Sequence, residues 1–195
     1  MSDWHGSLTI LRMASNQVRI IGGKWRGRKL AFPDAATLRP TLGRVRETLF
    51  NWLAGRIAGA CCLDLYAGTG ALGFEALSRG AAEADMVERA RTAVAALRRN
   101  AQLLKAPARV HGIPAERFLQ ATDRTWDVIF LDPPFADDAL PRALEVIAER
   151  GLLRPGGCVY FEQAERGGTE PAGPGWRLLK KSRAGASEFG LLVRD

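Results

Sequence analysis

Apolar residues recur along this chain in two alternating periods. Residues 61–66 (CCLDLY), 84–87 and 126–131 (WDVIFL) are near-continuous apolar runs, as expected of strands buried on both faces of a parallel sheet. Between them apolar side chains step by three and four: Ala90, Val94, Leu97, Ala101 and Leu104 in one stretch, Leu140, Leu144 and Ile147 in another. Helices are therefore expected at residues 71–79, 90–104, 115–120 and around 140–147, with a brief strand at 109–111. Gly80 stands just past the first of these helices, where a helix end favours glycine. Strands at 158–162, 176–180 and 188–193 complete the pattern. Only KSRAGAS separates the last two, too short for a crossover, so they must pair antiparallel. The alternation predicts an α/β fold, a largely parallel sheet with helices on both faces.

The N-terminal quarter reads differently. Residues 1–17 are weakly patterned and are expected to form a flexible extension, with Met13 or Val18 as candidate natural starts. RIIGGKWRGRKL suits a strand, a Gly-Gly turn and a second short strand. Pro33 and Pro40 then break the chain. Thr41 is placed to cap a helix that carries Val45, Leu49, Phe50, Leu53 and Ile57 on one face, and Gly55 and Gly59 weaken its end. The expected division is an extension at 1–17, an arm at 18–45 and a main domain at 46–195.

Composition bounds the classes. The chain has 195 residues, 47% hydrophobic and 25% charged, which are globular values and argue against disorder. No apolar run approaches the ~18–20 residues of a membrane span, and no secretory signal is visible. A soluble, cytoplasmic protein is expected. Cys61, Cys62 and Cys158 lie in apolar stretches without metal-ligand spacing and are expected to be reduced core residues. His5 and His111 form no ligand motif, so no metal is expected, and His111 reads as packing.

Charge changes the picture more. Arg19, Lys24, Arg26, Arg28, Lys29, Arg39, Arg44 and Arg46 face a single acid, Asp34, within residues 19–46. Their excess equals the +7 of the whole chain, so the remainder is balanced. Such local excess marks either a polyanion-binding surface or a solvated basic face. Trp25, interleaved among these cations, could stack a base, although packing is the commoner role of a lone Trp. A second basic patch, Lys180, Lys181 and Arg183, is expected where the last two strands turn, at the carboxyl edge of the sheet.

Two motifs carry chemistry. Gly68-Thr69-Gly70-Ala-Leu-Gly73 is a GxGxxG loop between strand and helix, and Glu88 follows twenty residues after Gly68. Glycines let a backbone approach a nucleoside, and the acid accepts hydrogen bonds from ribose hydroxyls. Asp64 precedes the glycines at a strand end. Its carboxylate would repel a pyrophosphate and attract an ammonium, which favours S-adenosylmethionine over a dinucleotide. The second motif is Asp132-Pro133-Pro134-Phe135, which ends the strand WDVIFL. Prolines stiffen the turn and aim the Asp132 side chain and the neighbouring carbonyl. An exocyclic base amine is a poor nucleophile, because its lone pair is shared with the ring. Two acceptors on its N–H bonds free that lone pair, and an aromatic face such as Phe135 fixes the base.

The segments RIIGGKWRGRKL, LRPTLGRVRETLFNWL, LDLYAGTGALGFEALSRGA and DPPF occur in this order, and together they resemble the bacterial RsmD family over the chain from about residue 18. The resemblance implies a class I S-adenosylmethionine-dependent methyltransferase fold, Rossmann-like, with a seven-stranded sheet whose last strand is antiparallel, plus a small basic N-terminal arm. It implies methylation of the N2 amine of one guanine in 16S ribosomal RNA. The substrate is either the naked RNA or that RNA in an assembling small subunit, the latter being expected, and a monomer is expected. Asp64, Gly68 and Gly70 would line the methionine end of the cofactor, Glu88 would hold its ribose, and Tyr66, Ala67 and Thr69 of the same loop would also contact the cofactor. Asp132 and the Pro133–Pro134 backbone would engage the amine, with Phe135 packing the base. Two positions depart from the family: Gly43 replaces an acid after LRPT, and Pro114 replaces an acid or amide near the adenine, leaving backbone such as that of Ala115 to make the contact. Competing readings are an adenine-N6 methyltransferase of DNA, for which only about 45 residues precede the cofactor domain, and a non-catalytic RNA-binding assembly factor.

Overall fold

The strands and helices expected from the apolar pattern are present in a computed structural model, which describes residues 15–33, 43–134, 139–164 and 173–195. Strands β1 (Ser15–Arg19) and β2 (Lys29–Pro33) pair antiparallel around a 3-10 turn at Gly23–Trp25. Then follow α1 (Gly43–Trp52), β3 (Cys61–Asp64), α2 (Ala71–Ser78), β4 (Glu83–Val87) and α3 (Arg91–Leu104). The chain continues through β5 (Ala108–His111), α4 (Ala115–Ala121), β6 (Trp126–Leu131) and α5 (Ala139–Glu149). It ends with β7 (Leu153–Ala164), β8 (Trp176–Ala184) and β9 (Ser187–Arg194). Seven strands form one sheet in the order β5-β4-β3-β6-β7-β9-β8, and only β9 runs against the others.

The pleat sorts alternate residues to two apolar layers. On one face Cys62, Met86, Val128, Phe130, Tyr160 and Phe189 meet α1, α2, α3 and the β1–β2 hairpin. On the other, Leu63, Val87, Ile129, Leu131 and Phe161 meet α4 and α5. Cys62 and Cys158 are buried and Cys61 half-buried, all three free, with burial pushing the Cys158 thiol up to about 11. No helix among the described residues is long and apolar enough to cross a membrane.

Several boundaries differ from those expected. β1 begins at Ser15, inside the stretch read as extension, because alternate residues of the hairpin (Val18, Leu30, Phe32) bury against the helices. β7 starts five residues early: Leu153 pairs with Trp126, and residues 154–157 bulge out before Cys158 rejoins Val128. The β8–β9 connection is only Gly185-Ala186, since the polar run 181–184 still pairs as an edge strand. Thr41, the expected helix cap, lies outside the described residues, as do Arg39 and Phe135.

The hairpin is latched to α2 by one carboxylate. Glu75 is fully buried. It accepts the backbone N–H groups of Ile21 and Gly22, each at 2.8 Å, and the Arg79 Nε–H at 2.7 Å. The Arg46 guanidinium stands 3.7 Å away and donates to the Arg19 carbonyl at 3.0 Å. Ser78 adds a second clasp, accepting from Trp25 N–H and donating to the Gly22 carbonyl. Asn100 of α3 donates to the Ala31 carbonyl. Gly23 is obligatory here: its φ is +74°, and a Cβ would lie 1.8 Å from the Ser78 carbonyl oxygen.

This corrects one expected role. The charge pattern groups Arg46 with the RNA-facing cations, but it is 5% exposed and neutralises Glu75 beneath the hairpin. Burial pulls its guanidinium below the ordinary value, with Glu75 opposing that shift. A guanidinium so placed reaches no phosphate. Glu75→Ala leaves that buried charge unpaired and three donors unmet, so a loss of about 3–5 kcal/mol is expected. Urea unfolding measures it; a midpoint within error of wild type would show that the latch carries no stability.

Candidate active site at the carboxyl edge of the sheet

The glycine loop, the tip of β4 and the end of β6 meet at the carboxyl edge. Leu65 N–H donates to the Phe130 carbonyl at 3.1 Å and Ala67 N–H to the Val87 carbonyl at 2.9 Å, tying the loop to both neighbouring strands. Gly68 and Gly70 have φ of +50° and +79°, values that suit glycine. A Cβ on Gly70 would strike Leu97 and Phe74 at 2.6–2.7 Å. Ala67 and Thr69 are buried, and Tyr66 is half-buried against the α4/α5 layer.

Two carboxylates frame this loop. Asp64 is 2% exposed and its Oδ2 accepts the Gly73 N–H at 2.9 Å. Burial pushes its carboxyl up to about 7; the Gly73 hydrogen bond opposes this and the charge of Glu88 adds to it. Glu88 accepts from Gly68 N–H at 3.0 Å and from Ala90 N–H at 2.7 Å, bridging the loop to the start of α3. Each carboxylate has roughly four lone-pair positions, so Glu88 keeps acceptors for a hydroxyl pair. None of the ion pairs among the described residues involves Asp64 or Glu88. A buried carboxylate beside a second one, with no ion pair to a cation among the described residues, suits a ligand that carries positive charge and ribose hydroxyls. It suits a pyrophosphate badly.

Asp132, Pro133 and Pro134 follow β6 at the same edge, with Asp132 half-exposed and Pro133 buried. Asp132 lies in line with Val128 and Phe130, on the α1–α3 face that also holds Asp64 and Glu88. Ala115 opens α4 as a buried residue, with Pro114 at its cap. The β8–β9 turn also lies at this edge, because β8 runs parallel to β7.

The basic residues separate. Arg19, Lys24, Arg26, Arg28, Lys29 and Arg44 are exposed. Trp25 is half-buried against the core, its ring 4.3 Å from the Lys24 ammonium. The hairpin turn clasps the carboxyl-terminal end of α2, the end remote from the glycine loop and about 12 Å along an eight-residue helix. The expected trio on β8 is split by the pleat. Lys180 pairs with Leu191, on the Asp132 face. Lys181 and Arg183 point to the other face, where Glu188 lies 2.8 and 3.9 Å from them.

Two polar groups escape a reading of the sequence. Asp85 sits buried in β4 and accepts from His111 Nε2 (2.8 Å), Arg109 Nε (3.0 Å) and Trp126 Nε1 (2.9 Å). Burial works against its charge, but these donors outweigh it and hold Asp85 well below the usual carboxylate range. His111 packs as expected, against the Phe118 ring at 4.7 Å, and also joins this network. Glu162, at the carboxyl end of β7, accepts the Tyr160 hydroxyl at 2.9 Å. Its signal is present in the sequence: an acid closing an apolar strand, as at Asp64 and Asp132.

A seven-stranded sheet with this order, one reversed final strand and a glycine loop after its first strand is a class I methyltransferase fold. The family model described as conserved hypothetical protein 95 matches residues 18–193. Ribosomal RNA small subunit methyltransferase D of Escherichia coli K12 is 43% identical over 182 residues, 93% of this chain and 92% of that protein. Its Haemophilus influenzae counterpart is 40% identical over 91% of this chain and 94% of its own length. The solved structure of E. coli yhhF superposes with a TM-score of 0.84 at 41% identity, covering 92% of this chain and 99% of that one. The chain belongs to this family, the RsmD family that its motifs resemble.

Asp64 carries a pH signature. Its folded value of about 7 exceeds the ordinary 3.8, so the native state holds the proton longer. Between about pH 4 and 7 the native state binds more protons than the unfolded one, and Asp64's contribution to stability falls as pH rises through that window. Asp64→Asn mimics the neutral acid. The variant is expected to be more stable than wild type at pH 8 and to match it near pH 4, as read from urea midpoints; equal midpoints at pH 8 would refute the shift.

Proposed function

We propose that the protein methylates the exocyclic N2 amine of a guanine in small-subunit ribosomal RNA, with S-adenosylmethionine as donor. The observation that carries this reading is the Asp132-Pro133-Pro134 corner, set at the end of β6 directly beside the glycine loop on β3. The relatives' names supply the RNA. When bound, S-adenosylmethionine supplies a methyl group on a sulfonium centre. Asp64 would attract its ammonium, with Tyr66, Ala67, Gly68, Thr69 and Gly70 shaping the backbone around the methionine end. Glu88 would take the ribose hydroxyls, and the Ala115 backbone would border the adenine. The Asp132 carboxylate and the carbonyl of the proline corner would accept the two N2–H bonds. That draws the nitrogen toward tetrahedral geometry and frees its lone pair, while Phe135 would pack the base.

The RNA would reach the site across a positive surface. Arg19, Lys24, Arg26, Arg28, Lys29 and Arg44 on the hairpin side, with Arg39, would hold phosphates, and Lys180 would hold them beside Asp132. The hairpin turn sits a helix length from the glycine loop, so its cations would grip RNA flanking the target, not the target nucleotide. The substrate would be 16S ribosomal RNA in an assembling small subunit, and the enzyme a cytoplasmic monomer.

Unmodified small subunits incubated with labelled S-adenosylmethionine test this directly. N2-methylguanosine at a single nucleotide is the expected product; label in another base would overturn the reading. Asp132→Ala is expected to lower kcat on the order of 10²–10³-fold, by analogy with loss of one oxyanion-hole donor, and to leave cofactor binding in calorimetry nearly unchanged. Neutralising Arg26, Arg28 and Lys29 together should raise KM for RNA and spare kcat. The log–log salt slope of affinity should flatten by about 0.7–0.9 for each phosphate no longer neutralised. A triple variant with wild-type slope and KM would reduce this surface to a solvated face.

A further inference from the structure

We infer that Glu162 is the residue that tells guanine from other bases, by accepting the ring N1–H next to the reacting amine. This rests on the guanine-N2 reading above.

The last paired residues of β6 and β7 are Leu131 and Phe161. The next position on each strand is Asp132 and Glu162, placed side by side at the carboxyl edge on strands about 4.8 Å apart. Both lie on the face of Phe130 and Tyr160, which pair in register. Glu162 is 8% exposed, and no basic side chain pairs with it among the described residues. Tyr160, fully buried and packed on Phe130 and Phe189, donates its hydroxyl to Glu162 Oε2 at 2.9 Å. Burial raises the Glu162 carboxyl, and hydrogen bonding from Tyr160 and Ser187 opposes that shift. Burial first, and then the charges of Glu162 and Asp132, raise the Tyr160 hydroxyl well above its ordinary value, so it stays a donor. A carboxylate held by a buried tyrosine hydroxyl on a rigid sheet has a fixed direction and lone pairs to spare.

Base chemistry assigns it a task. In guanine the N2 amine neighbours N1–H, a donor. In adenine and cytosine the exocyclic amine neighbours a ring nitrogen with a lone pair. A second carboxylate beside Asp132 therefore welcomes guanine and repels both alternatives. Discrimination of this kind is steep, because the wrong base leaves a desolvated acceptor facing an acceptor.

The test uses target RNA in which the modified guanosine is replaced by 2-aminopurine, which keeps the amine but has an unprotonated N1. Wild-type enzyme should show kcat/KM lower by about 10²-fold or more on this RNA. Glu162→Gln places an amide donor at the same point. It should lose activity on guanosine, gain relative activity on 2-aminopurine, and shrink or invert the ratio, with S-adenosylmethionine affinity unchanged. Tyr160→Phe, which frees the carboxylate, should shrink the ratio partway. Wild-type enzyme that methylates both RNAs equally, or a Glu162→Gln ratio equal to wild type, would overturn the inference. Should the glutamine variant not fold, the wild-type ratio and that of Tyr160→Phe decide. Product analysis separates the two claims. N2-methylguanosine with an unaltered ratio removes only the role of Glu162, while a different methylated base removes the guanine reading as well.

Discussion

A buried carboxylate is the central polar tie between the N-terminal hairpin and the helices beneath it. Glu75 lies fully buried on α2, and it is the point where hairpin, α1 and α2 converge. A charge in that position is costly unless its lone pairs are all met. Two hairpin N–H groups and the Arg79 guanidinium meet them, with Arg46 nearby. The requirement runs both ways. The hairpin backbone at Ile21 and Gly22 has no strand partner and needs Glu75 as acceptor. The exposed arginines and lysines thus stand on a rigid support continuous with the core, and α2 also begins at the glycine loop. The positive surface and the cofactor loop are held in one frame by the same helix.

The charge pattern is inverted between surface and site. The exposed hairpin is cationic, whereas the carboxyl edge gathers Asp64, Glu88, Asp132 and Glu162. A polyanion attracted by the first would be repelled by the second if it lay along the edge as a phosphate backbone. What suits the edge is a group rich in N–H donors or carrying positive charge. A base turned out of its strand presents N–H donors, and an ammonium presents charge. On the proposed reading, surface and interior would select different parts of one substrate: phosphates outside, an amine edge within.

Much of this is legible from the chain. Parallel strands buried on both faces leave uninterrupted apolar runs, so β3, β4 and β6 stand out, and the short link between β8 and β9 dictates the reversed strand. Asp64 and Asp132 are visible because an acid inside or closing an apolar run is costly without a task. Arg46 is misplaced by sequence for a physical reason. Along the chain it is one more cation in a basic stretch, and its burial depends on Glu75, 29 positions away. The split of Lys181 and Arg183 from Lys180, by contrast, follows from the strand's own period of two once β8 is seen to run as far as Ala184. The pairing of His111 with Asp85 is hidden because their network is assembled from β4, β5 and the start of β6. Local periodicity reports which face a residue takes within its own element; it is silent on partners that the tertiary fold brings from elsewhere.

The cost of the buried acids also bears on how the site fills. Asp64 is desolvated, next to Glu88, and holds its proton up to about pH 7. An arriving ammonium would reverse that balance, since it favours the charged carboxylate by direct attraction in a low-dielectric setting. Binding near neutral pH would then release a proton from Asp64. It would also stabilise the fold, by an amount set by its affinity and concentration, because a ligand that binds only the native state draws the equilibrium toward it. The loop glycines make this possible. Gly68 and Gly70 adopt positive φ, Gly73 brings its N–H to Asp64, and a Cβ there would press on Met86 at 2.6 Å. Larger residues would push α2 away from β3, opening Asp64 to water. Its carboxyl would then fall toward the ordinary range, water would screen its attraction for an ammonium, and its coupling to the fold would be lost.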